Sequence, residues 1–204
     1  MDTAALIDDV TDDKQTELSR LGSSKTLYAD TRGEMDEATV FAAAAAREAA
    51  ASETFAAWAD DEPDDTAAAL FADAAEAAEN RLVSLDADPA DWTPAMHDTL
   101  DDIDGTVARL GGLLAWTLVD KKIKEQLTGF FTGQADPQTA STFRSAGSDV
   151  VDLREETSDL LDTVCEGEDD WERARDAAIA VVEAAYDEFF ETLENLGVNP
   201  KPIC

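Results

Sequence analysis

Histidine is almost missing from this chain: His97 is the only one in 204 residues. A metal centre built on several imidazoles is therefore excluded, as is the H-E-x-x-H pattern of metalloproteases. Two cysteines, Cys165 and Cys204, are too few for a disulfide scaffold. C-x-x-C, G-x-S-x-G and a phosphate-cradling glycine loop are also lacking. No stretch of 18 apolar residues escapes interruption by charge, so no membrane span is expected. The chain opens on Asp2 without a basic region, so no secretory leader is expected. Strand-like alternation bounded by turn residues appears nowhere, which points away from sheet-based folds.

Positive charge is the next scarcity. Fifteen lysines and arginines face 47 acids, for a formal charge of −32. Phosphate backbones would be repelled, so nucleic-acid binding is not expected. The acids follow periodic segments and are not blocked into a tail. Lysine is rare, and alanine stands where larger aliphatics are usual. At about 1 M salt the Debye length shrinks to about 3 Å, which screens self-repulsion of this size. The composition therefore reads as that of a cytoplasmic protein from the high-salt cytosol of an extreme halophile. A fold that loosens below about 0.5 M salt is expected. Circular dichroism across a salt titration checks this, and full helicity in dilute buffer would refute it. An acidic surface built for a regulatory or interaction partner is the competing reading.

What is present is helical periodicity. A short first helix is expected over residues 2–21, carried by Leu6, Val10, Leu18 and Leu21 and stopped by Gly22, with 23–33 as a connection. The central helix spans 34–61 and ends before Pro63. A second long helix runs over 66–85, followed by an extended Pro-Trp-Pro stretch at 86–94. The spacing then predicts helices over 95–132, 138–164 and 171–196. The fold class is all-α, with the N-terminal segment 1–33, a bundle over 34–165 and a C-terminal helix and tail over 166–204. Two copies are expected to pair through the broad apolar face of the last helix, Ile179, Val182, Tyr186, Phe189, Leu193 and Leu196.

Chemistry is expected where a charge interrupts an apolar stripe. Phe41, Glu48 and Phe55 follow one another at steps of seven, with small residues and Trp58 between. A buried carboxylate needs a cation, a metal or a proton. Asp120 interrupts the stripe Leu113, Trp116, Ile123, Leu127 in the same way. Glu76 and Glu79 form an E-x-x-E pair flanking the apolar face of the second long helix. Glu48, Glu76, Glu79 and Asp120 are the candidate metal ligands, a hard oxygen set suited to one iron or another divalent ion, or to none. The alternative is pairing with a buried cation such as Arg47, Arg81, Arg109 or Lys121. Lys121, Lys122 and Lys124 form a basic cluster, read either as an anion-binding patch or as partners for Asp120 and acids on neighbouring helices. Cys165 reads as a small hydrophobe near a helix end, with a redox thiol as the other reading; Cys204, the last residue, is the other candidate thiol. His97 is expected on the surface.

The helix bearing Glu48, with L-F-A-D-A-A-E-A-A-E-N-R-L at 70–82 after a tight turn, resembles the first two helices of the rubrerythrin branch of the ferritin-like superfamily. The resemblance covers about residues 30–165. It implies an up-down helical bundle with an extra short N-terminal helix and an extra C-terminal helix. In that family each half supplies a glutamate on its first helix and E-x-x-H on its second. Glu48 matches the first glutamate and Glu76 the second, while Glu79 stands in the histidine position. In the second half, Asp120 is the in-stripe acid, and Asp152 and Glu155 keep the i, i+3 spacing without a histidine. The resemblance thus implies a protein without the standard di-iron centre, acting as a structural or interaction module. Its alternative is an oxidoreductase of peroxide or iron metabolism with a carboxylate-rich site.

Overall fold

Alanine-rich stripes let the helices approach closely, and four of the helices are started by an aspartate. The structure, a computed structural model, describes residues 1–200. Among them are nine helices and no strand: α1 (Thr3–Asp13), α2 (Gln15–Leu21), α3 (Lys25–Asp30), α4 (Glu37–Asp61), α5 (Asp65–Leu85), α6 (Ala95–Asp101), α7 (Thr106–Gly133), α8 (Pro137–Val164) and α9 (Glu168–Asn195). The side chains of Asp2, Asp36, Asp64 and Asp136 accept from free backbone N–H groups at the starts of α1, α4, α5 and α8. None of the helices is long and apolar enough to cross a membrane among the described residues.

Three expected segments differ in detail. The first helix breaks at Lys14 into α1 and α2. The connection 23–33 contains α3, and the chain then turns sharply through Arg32 and Gly33, both at positive φ. The helix expected over 95–132 is two helices, because Gly105 adopts φ +88, a left-handed conformation that glycine enters without steric cost.

The bundle is two helical hairpins, α4–α5 and α7–α8, joined by one long crossover. Residues 86–105 carry the chain back along α4. Ala90 donates its N–H to Ala42 near the start of α4, His97 meets Thr54 farther along, and Arg109 pairs with Asp61 and Glu62 at its end. Helix α7 therefore runs antiparallel to α4. Facing pairs record that register: Phe41 on Phe131 (5.0 Å between centroids), Glu48 on Lys124, Phe55 on Trp116 (5.1 Å). Buried apolar side chains from all nine helices form one cluster.

Helix α9 lies along α7. At Gly111 the two backbones touch: a Cβ there would sit 2.2 Å from the carbonyl oxygen of Ala174. Of the apolar face expected to pair two copies, Val182, Phe189 and Leu193 are buried within the chain, where α7, α6, α2 and α3 pack against α9, while Ile179, Tyr186 and Leu196 are half-buried.

Candidate functional site: a lysine-centred ion cluster in the bundle core

Glu48 is where its stripe places it, 2% exposed between α4 and α7. Two cations meet it. The ammonium of Lys124 on α7 donates to Oε1, and Arg81 Nε on α5 donates to Oε2 at 2.9 Å. The same ammonium donates to Asp120 Oδ1 at 3.1 Å, one helical turn back on α7. Lys124 and Asp120 are each 1% exposed. Two carboxylates and two cations thus form a neutral cluster, with the ammonium between the acids. Ions buried this deeply persist only when every charge has a partner.

The four candidate metal ligands do not converge. Glu48 and Asp120 come together, but around Lys124. Glu76 and Glu79 are exposed on the outside of α5, and Asp152 and Glu155 are exposed on α8. Among the described residues, no group of three or more histidine, cysteine or acidic side chains is arranged to hold a metal ion. The donor set does not fit a di-iron centre: an ammonium stands between the two buried carboxylates, and a cation so placed opposes a second positive charge there.

The three clustered lysines serve different partners. Lys124 enters the core. Lys121 pairs with exposed Glu125 at 2.9 Å, and half-buried Lys122 lies against Gly22. They do not form one anion-binding surface. Cys165 is half-buried, and burial, aided by Asp170 and Asp162, pushes its thiol up to about 11. That keeps it protonated and weakly nucleophilic near neutral pH. Cys204 lies outside the described residues.

A second polar network holds the crossover down. Arg47 clamps Asp30 of α3 through two bonds, at 2.9 and 2.7 Å, and stacks over the Trp92 ring at 5.0 Å. Trp92 Nε1 donates to Glu188 of α9, which also accepts from the N–H of Ala95 at 2.9 Å. The cavity bordered by Arg47, Asp30, Trp92 and Glu188 has about 10 Å³ of free space, room for one water and no organic substrate. Glu188 carried the same signature as Glu48: it interrupts the buried stripe Val181, Ala185, Thr192 of α9.

His97 is buried at 1% exposure, contrary to the surface position expected from its polar neighbours. Helix α6 is short and turns Met96, His97 and Leu100 inward. Burial first, and the Arg47 charge second, lower its pKa to about 3. The folded state thus keeps the imidazole neutral where the unfolded chain, with the ordinary value of 6.5, takes a proton. Stability present above pH 6.5 is lost as pH falls from there towards 3. Relative to His97→Gln, the parent chain should lose roughly 2 kcal/mol between pH 7 and 5, read from denaturant midpoints in high salt. Parallel pH curves for the two proteins would contradict a neutral buried imidazole.

Comparison with protein-family models, with curated proteins and with solved structures found no match for this chain.

Proposed function

We propose that this chain is a ferritin-like bundle in which a lysine-centred ion cluster stands where relatives of that fold would carry a metal centre. On this reading it works as a structural or interaction protein and not as an oxidoreductase. The observation that carries the proposal is the Lys124 ammonium between Glu48 and Asp120. The topology supports the lineage, because two hairpins joined by one long crossover are the arrangement of ferritin-like folds. Glu48 at mid-helix on α4 and Asp120 on the facing α7 stand at positions from which such bundles project their ligands inward. The exposed acids of α5 and α8, Glu76, Glu79, Asp152 and Glu155, then belong to a solvated or partner-facing surface. That surface suits the high-salt cytosol inferred from the composition.

Anaerobic loading with ferrous iron, desalting in high-salt buffer and elemental analysis test the proposal. The expected result is no retained iron and no optical change on adding peroxide. Stoichiometric iron that disappears in Glu48→Gln, with a peroxide-dependent band, would replace this reading by the oxidoreductase one.

A further inference from the structure

Among the described residues, three buried side-chain atoms have no protein hydrogen-bond partner: Trp58 Nε1, His97 Nε2 and Asp120 Oδ2. The last two are carried by α6 and α7, which pack against one another. Asp120 lies one turn from Lys124 and one turn from Trp116 on α7. Trp116 packs edge-on against Phe55, whose ring lies 6.4 Å from that of His97. On α4 the residue between the Glu48 level and the Thr54 level is Ala51, fully buried and small. The imidazole feels the charge of Arg47, which spends Nε and Nη2 on Asp30, and after it that of Asp120.

The protonation of His97 follows from its neighbours. Thr54 Oγ1 lies 2.8 Å from Asp101 Oδ1 and 3.0 Å from His97 Nδ1. A hydroxyl has one hydrogen, and the carboxylate of Asp101 accepts only, so that hydrogen goes to Asp101. Thr54 must then accept from Nδ1–H. In a neutral ring this leaves Nε2 as a lone pair. Asp120 Oδ2 is likewise an acceptor, because Lys124 serves only Oδ1. Two buried acceptors with no donor call for a group that donates twice.

We infer that a single internal water molecule bridges His97 Nε2 and Asp120 Oδ2 and donates one hydrogen to each. This joins two separate networks into one chain of hydrogen bonds. It runs from Arg81 on α5 through Glu48, Lys124 and Asp120, across the water to His97, and on through Thr54 to the exposed carboxylate of Asp101. Buried waters of this kind satisfy otherwise orphaned polar groups and form part of the structure. The inference stands on the bonding of these residues and holds whether or not the bundle is of ferritin-like descent.

The lone histidine makes the test direct. In the uniformly ¹⁵N-labelled full chain, in high-salt buffer at pH 7, long-range ¹H–¹⁵N correlation spectra report the ring tautomer without assignment ambiguity. The expected result is the Nδ1–H form in excess by more than about tenfold, the factor set by one lost buried hydrogen bond. A water-selective exchange or cross-relaxation peak at the ring Hε1 proton is expected alongside. Thr54→Val removes the acceptor and should shift the ratio towards Nε2–H, while Asp120→Leu should keep the Nδ1–H form and lose the water peak. An Nε2–H tautomer in the parent chain would overturn the inference, since a ring nitrogen that carries a hydrogen cannot accept one from the water. So would an Nε2 resonance that moves with added Zn²⁺ and returns with chelator, which would put a cation in the water's place.

Discussion

Lys124→Met is expected to lower the unfolding free energy by about 3–5 kcal/mol, measured by chemical denaturation in multimolar salt. The lysine is 1% exposed and serves two carboxylates at once. Without it Glu48 keeps Arg81, but Asp120 loses the one protein donor it has among the described residues, and two like charges face each other across α4 and α7. Methionine fills the space of the lysine stem, so the loss reports charge and not a cavity. The cost should persist at high salt, because buried charges are poorly screened. Lys121→Met, which removes only a surface pair with Glu125, should cost at most about 1 kcal/mol. Replacing the cluster together, as Glu48→Gln, Lys124→Met and Asp120→Leu, should recover most of the loss, because an apolar substitute needs no desolvation of ions. A Lys124→Met protein as stable as its parent would show that the ammonium does not hold these acids.

Gly111→Ala is expected to be nearly as damaging, at about 3 kcal/mol. The added Cβ would lie 2.2, 2.7 and 2.8 Å from the O, Cα and C atoms of Ala174. All three are backbone, so no side chain can swing away and α9 must move off α7. Gly112 is next in the chain, yet its Cβ would meet the tips of Ile103 and Leu100 at 2.9 and 3.0 Å. Those tips can shift, and alanine favours the helix by about 0.5–1 kcal/mol over glycine, so Gly112→Ala should be close to neutral. At Gly129, where nothing lies within 4 Å, the same change should stabilise by about that helical preference. Thermal midpoints of the three variants in one high-salt buffer order these expectations, and a Gly111→Ala protein that melts with the parent would refute the close contact.

The long helices were legible because their apolar residues repeat with the helical period. α4, α5, α8 and α9 lie within a few residues of the expected spans, and α7 ends where expected but starts only at Thr106, after a break that splits off α6. The misjudged segments are those where no period can accumulate. Helix α3 has six residues and α6 has seven, too short for a stripe. Hence His97 looked exposed: its inward turn depends on packing against α4 and α9, not on any neighbour in sequence. The two acids inside apolar stripes, Glu48 and Asp120, were visible as anomalies, and so was the need for a partner. Which partner was not visible, since Arg81 lies 33 residues from Glu48 and Lys124 lies 76.

By itself the amino-acid order determined that the chain is helical, where the long helices lie, that it carries a large negative charge, and that two acids interrupt apolar faces. Those are local properties: periodicity and composition act over one or two helical turns. Only the tertiary structure decided that Lys124 and Arg81 meet Glu48, that Glu76 and Glu79 stay in solvent, and that His97 is buried. Each of these depends on how helices far apart in the chain are set against one another. A buried charge takes whichever partner the facing helix brings within about 3 Å, and that distance is fixed by packing.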